Sequence, residues 1–300
     1  MNDIDAITLN FSPGSLQLLN GILAIVMFSI ALDLRLSDFR RLLHAPKALV
    51  VGLCSQFIVL PVLTFLMILV LQPRPSIALG LILVAACPGG NISNFITHRA
   101  GGNAALSVSM TAFATVGAIA LTPANIALWG NLYEPTRKIL ETTFIDPVYV
   151  AITVAFMLIL PLFLGIALNT WRPEASARIR KPMQWLSMAI FVAFIVLALA
   201  ANWTFFLNYA GMVAAFVFLH NALALGGGYT LARLTGLSEY DRRAVTIETG
   251  IQNSGLGLVL IFTFFGGLGG MAVVAAFWGI WHAISGIALA HWMSRTEAAR

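Results

Sequence analysis

Two acids in this chain of 300 residues stand inside apolar sequence, Asp33 and Glu248; the other ten of the 12 Asp and Glu fall between apolar stretches or at their ends. Glu248 opens the run Glu248-Thr249-Gly250-Ile251-Gln252-Asn253-Ser254-Gly255. A carboxylate in apolar surroundings must be protonated, paired or bound to a cation. The nearest basic residues, Arg242 and Arg243, lie at the edge of the stretch. The close neighbours carry neutral oxygens instead. Hard cations take oxygen ligands. One carboxylate among neutral oxygens suits a monovalent ion such as Na⁺ better than Ca²⁺, which takes more negative charge. A proton site and a satisfied structural acid are the other readings. Asp33 lies two residues from Arg35 and reads as a boundary charge reaching the interface.

A second polar interruption lies upstream, at Cys87-Pro88-Gly89-Gly90-Asn91-Ile92-Ser93-Asn94. Pro removes a backbone donor and Gly weakens a helix, so each interruption frees backbone groups that need partners. Ser107 and Thr111 follow at i, i+4 and share a helix face. Beside Ser93 and Asn94 they form a candidate shell of hydroxyls and amide. Gln56 lies five residues before Pro61; its amide is costly in lipid and should face inward, to ligate an ion or to hydrogen-bond an unwound segment. His220-Asn221 and His282 read as hydrogen-bonded packing groups, with proton transfer the alternative.

These residues must be held by membrane helices. The chain is 59% hydrophobic and 10% charged, against about 25% charged in soluble domains. Nine spans are expected, at 16–34, 48–71, 76–97, 104–130, 146–170, 183–203, 206–231, 243–265 and 269–293. In lipid the backbone must bond internally, so these are helices. Of the 17 Lys and Arg, only Arg74, Arg137 and Lys138 fall on one side in this count. Basic residues collect in cytoplasmic loops, so the N-terminus is outside and the C-terminus inside. That bias explains the net charge of +5 better than nucleic-acid binding. Residues 1–15 lack the basic start of a signal peptide, and no cleaved segment is expected. Cys54 and Cys87 lie in spans and imply no disulfide framework.

The interruptions fall in spans 3 and 8, which run in opposite senses. Paired broken helices point to a transporter built from inverted repeats, with its site at the midplane. Gly kinks for close packing are the plainer alternative. No nucleotide-binding loop is present, so ATP-driven transport is not supported. An intramembrane enzyme would use Glu248 with His220 or His282, but no nucleophile or metal motif accompanies them.

Further runs complete a pattern: Ser37-Asp38-Phe39, Gly102-Asn103 with Ala105-Leu106-Ser107-Val108, Leu219-His220-Asn221, Thr246-Ile247-Glu248, and Trp281-His282 with Ser285-Gly286. Together with both interruptions they resemble the bile acid:sodium symporter family over roughly residues 20–294. Glu-x-Gly-x-Gln-Asn-Ser-Gly is the most specific part. The resemblance implies an all-α integral membrane protein of nine transmembrane helices. It implies one membrane domain over 1–300, with an inverted-repeat core (about 48–131 and 206–293), a panel (about 16–34 and 146–203), and two crossing broken helices.

The same resemblance implies Na⁺-coupled import of an organic anion, bile acid-like or a small carboxylate, across the inner (plasma) membrane. No organic cofactor is expected. One sodium site would use Ser93, Asn94, Ser107, Thr111 and Glu248. A second would use Gln56, Glu248 and Gln252 with the carbonyls of Thr249 and Ile251. The anion would lie near Asn91, Asn253 and His282, where half-helix N-termini favour negative charge. Asn91 stands where relatives often carry Thr, Ala283 where they often carry Asn, and Asp33 where a neutral residue is common. A proton-coupled or efflux carrier of the same anion class is the alternative.

Overall fold

The computed structural model describes residues 4–5, 8, 13–32, 46–90, 92–143, 146–201 and 203–298. Those residues form twelve helices. They are α1 (Pro13–Ala31), α2 (Pro46–Leu71), α3 (Pro75–Ala86), α4 (Ile92–Arg99), α5 (Ala104–Leu132) and α6 (Glu134–Thr143). Then follow α7 (Pro147–Trp171), α8 (Pro173–Ala201), α9 (Trp203–Leu234), α10 (Glu239–Gly250), α11 (Ser254–Phe264) and α12 (Gly269–Ala298). Among the described residues five stretches are long and apolar enough to cross a membrane: Pro46–Leu71, Ala104–Leu132, Val148–Trp171, Leu207–Leu234 and Gly269–Arg295. Large apolar side chains such as Phe156, Phe163 and Trp185 are exposed. Water would not tolerate them so grouped, whereas lipid does. The protein is a multi-pass helical membrane protein.

The expected spans 3 and 8 are each broken. Span 3 becomes α3 and α4, and span 8 becomes α10 and α11. Span 6 begins earlier than expected, because α8 stays helical from Pro173 through its basic first turns. The expected loop after span 4 contains α6. Its charges pair along the helix, Lys138 with Glu134 at 3.0 Å and Arg137 with Glu141 at 3.6 Å. The Lys138 hydrogen bond holds the Glu134 carboxyl below the usual carboxylate range. Leu140 on the other face packs on the core. Asp33, Asn91 and the run at 37–39 lie outside the described residues.

α2 widens into a π turn at Ser55–Val59. Pro61, just beyond, has no N–H to give the carbonyl of Phe57. Such single π turns recur at functional sites, and this one carries Gln56. The N-terminal residues contribute too. Ile4 is buried, and Asp5 accepts the backbone N–H of Ser76 at 2.8 Å, capping the start of α3. Packing is uneven along the chain. α1 lies on α7 and α8, while α3, α9, α10 and α11 gather around one another and α12.

Candidate functional site

The two breaks meet. α3 stops at Ala86 because Cys87 turns extended, φ −71°, and Pro88 follows. α10 stops at Gly250 because Ile251 turns extended, φ −118°. The two extended pieces pair antiparallel at Gly89 and Gln252. Gly90 N–H donates to the Ile251 carbonyl at 2.7 Å, and Asn253 N–H donates to the Pro88 carbonyl at 2.8 Å. Each break thus satisfies the backbone that the other exposes, as burial demands. A Cβ on Gly89 would overlap the Glu248 carboxylate, and one on Gly90 would sit 2.7 Å from the Gln252 carbonyl oxygen. Only glycine allows the approach.

The far ends of α4 and α10 are also clasped. The Arg243 guanidinium donates to the Ala100 carbonyl at 2.7 Å, and the Asn103 amide donates to Asp241 at 2.7 Å. α4 and α10 therefore lie side by side, joined at both ends.

Glu248 sits between them and is wholly buried. Its Oε2 accepts from Ser93 Oγ at 2.6 Å and from Ser107 Oγ at 2.8 Å. Its Oε1 accepts from Thr111 Oγ1 at 2.6 Å. Asn94 Oδ1 lies 2.9 Å from Ser107 Oγ and 3.3 Å from Thr111 Oγ1. Thr111 Oγ1 also lies 3.1 Å from the Ser107 carbonyl. A hydroxyl has one proton to give. Three hydroxyls therefore face both carboxylate oxygens, an amide oxygen and a carbonyl. Acceptors outnumber protons, which is the electrostatics of a cation site. The residues come from α4, α5 and α10.

Gln56 and Gln252 both meet Gly89 at the crossover. Gln56 Oε1 accepts from Gly89 N–H at 3.0 Å. Gln252 Nε2 donates to the Thr249 carbonyl at 2.8 Å. Gln56 Nε2 and Gln252 Oε1 are buried with no hydrogen-bond partner among the described residues. Unpaired buried polar atoms are rare. An oxygen left open here fits a second cation ligand. The carbonyls of Thr249 and Ile251 each hold one partner and keep a second lone pair. Among the described residues no group of three or more His, Cys, Asp and Glu is placed to hold a metal; this chemistry suits a hard, monovalent ion and not zinc.

The remaining expected positions are spread. Asn253 caps α11, its Oδ1 accepting Leu256 N–H at 3.0 Å. His282 is buried in α12 with Nδ1 unpartnered among the described residues. His220 packs on the Trp278 ring at 4.7 Å and bonds Thr64 at 2.6 Å, which supports its reading as a packing group. Two residues at the crossover had not been singled out. Thr97 Oγ1 donates to Ser107 Oγ at 3.3 Å, and Ser55 Oγ accepts from Thr249 at 2.7 Å. Thr97 lies four residues after Ser93, so the helical repeat could have found it.

The sequence profile of the Sodium Bile acid symporter family matches residues 21–208. The chain belongs to this family. Sodium bile acid symporter family members are membrane transporters and not enzymes, and this chain is one of them. It is 30% identical over 273 residues to the uncharacterized sodium-dependent transporter YocS of Bacillus subtilis, covering 91% of this chain and 82% of that one. It is 32% identical over 268 residues to the probable sodium/metabolite cotransporter BASS1, chloroplastic, of Arabidopsis thaliana, covering 89% of this chain and 64% of that one. It is 26% identical over 239 residues to the human ileal sodium/bile acid cotransporter, covering 78% and 66%. The chain thus spans less than two thirds of the plant relative's length.

Proposed function

We propose that this protein is a sodium-coupled symporter that imports an organic anion across the plasma membrane. The observation that carries the reading is the buried Glu248 carboxylate, ringed by hydroxyl and amide oxygens that have fewer protons than acceptors. The sodium-dependent relatives support it. One Na⁺ binds Ser93, Asn94, Ser107, Thr111 and Glu248. A second binds Gln56, Glu248, Gln252 and the carbonyls of Thr249 and Ile251. The first ion ties α4 and α5 to α10, and the second ties α2 and α10 to the crossover. The ordered crossover then offers the anion a site near Asn91, Asn253 and His282, where the N-termini of α4 and α11 favour negative charge.

The chain has nine spans with its N-terminus outside. The helices around the crossover form the core, and α1, α7 and α8 form the panel against which the core moves. The packing of α1 on α7 and α8 supports that division. The anion is bile acid-like or a small carboxylate.

Uptake of candidate radiolabelled carboxylates into proteoliposomes tests the reading. A Na⁺ gradient should drive accumulation, and Glu248→Gln should abolish it. Accumulation driven by a pH gradient in choline, with no response to Na⁺, would establish proton coupling instead.

A further inference from the structure

The last carbonyls of a helix have no helical partner. At the end of α10 one of them is taken by a residue from another helix. Asn221 on α9 is buried. Its Nδ2 donates to the Gly250 carbonyl at 2.8 Å, and its Oδ1 accepts from Ser285 Oγ on α12 at 2.6 Å. The arrangement has one consistent set of directions. A carbonyl only accepts, so it takes the amino end of the carboxamide. Ser285 must then donate to the oxygen end. A Cβ on Gly250 would overlap Leu225, one turn along α9, so α9 touches the end of α10 directly.

Gly250 lies between Thr249 and Ile251, and its peptide plane is the joint of the break. A glycine puts little steric barrier in the way of that plane rotating. Rotation about the Gly250 backbone bonds would change the direction of the Ile251 carbonyl relative to that of Thr249. We infer that Asn221, oriented by Ser285, is a positioning residue that locks the Gly250 peptide and so aims the Thr249 and Ile251 carbonyls. This rests on the sodium reading of those carbonyls. Ser285 lies one turn after His282 on α12, so the pair joins the end of α10 to the helix carrying His282.

Sodium alone is the probe. Purified protein is melted in rising NaCl, with choline chloride holding ionic strength constant. Wild type should be stabilised by Na⁺ with a measurable half-saturation; absence of any stabilisation would sink the sodium reading itself. Asn221→Asp sets a carboxylate against the carbonyl and should raise the half-saturation at least tenfold. Ser285→Ala keeps the packing and should raise it several-fold, with the sodium-free melting temperature little changed. Ser285→Thr keeps the hydroxyl and should restore it. Asn221→Leu with Ser285→Ala should be no worse than Asn221→Leu alone, because the two act as one unit. Wild-type sodium affinity in folded Ser285→Ala and Asn221→Asp overturns the proposal, as do effects of Asn221→Leu and Ser285→Ala that multiply independently. Should the Asn221 variants fail to fold, Ser285→Ala and Ser285→Thr decide.

Discussion

At Glu248 the deciding quantity is the number of protons available to its neighbours. Thr111 gives its single proton within 2.6 Å of the carboxylate. Thr111→Val keeps the shape and removes that oxygen. Loss of a bond to a charged group is worth roughly 1.5–3 kcal/mol, and tenfold in affinity is about 1.4 kcal/mol. The half-saturating Na⁺ for uptake should therefore rise tenfold or more; an unchanged value would remove Thr111 from the site. Gln252 tests the second ion. Its Oε1 lacks a partner among the described residues, so Gln252→Leu should lower the Hill coefficient for Na⁺ toward one while leaving sodium-dependent uptake in place. A coefficient unchanged from wild type would remove Gln252 from the second site. The importance of Glu248 was legible from its type and setting. Its three hydroxyl partners were separately visible as polar residues in apolar sequence. The family resemblance grouped them into one site; the distances that close it were not legible, since nothing local links Ser93 to a residue 155 positions away.

The broken helices are the elements on which the site depends. Gly89 is required by distance, since any Cβ there meets Glu248. Gly89→Ala should abolish sodium-dependent uptake while the protein still reaches the membrane. Gly226→Ala is the control: nothing lies within 4 Å of a Cβ at that position. In mid-helix it should leave uptake intact and stabilise by up to about 1 kcal/mol, read as a higher melting temperature. Equal behaviour of the two variants would refute the crossover contact. Both breaks were legible, because Pro88 and the paired glycines are local signals. The helix at 134–143 was not, because its sequence is polar and its helix rests on charge pairs and the packing of Ile139 and Leu140. The role of Asn253 as a cap, and of Asn221 as the partner of Gly250, depends on which backbone groups were left open. That is known only once the breaks have crossed.

Over the whole molecule, two Na⁺ with one monovalent anion would carry one net charge inward. An inside-negative potential of 100 mV would add about 2.3 kcal/mol of driving force. A potassium diffusion potential should therefore speed uptake into proteoliposomes; indifference to potential would exclude that stoichiometry. Orientation is tested separately, in a background with Cys54 and Cys87 replaced. A cysteine at Lys138 should be labelled from outside and one at Arg295 only after permeabilisation, and the reverse pattern would invert the topology. By itself the sequence determined that the chain is helical, lives in lipid, and breaks two of its helices with polar residues. Those properties follow from hydropathy and from the backbone chemistry of Pro and Gly, which act over a few neighbouring residues. The family resemblance implied the crossing and the grouping around Glu248; only the tertiary structure decided how the breaks pair at Gly89 and Gln252, at what distances oxygens from α4, α5 and α10 close on Glu248, and that Asn221 holds the joint at Gly250. Contacts between distant residues depend on helix packing, which sets the angstrom-scale distances that hydrogen bonds and ion ligands require.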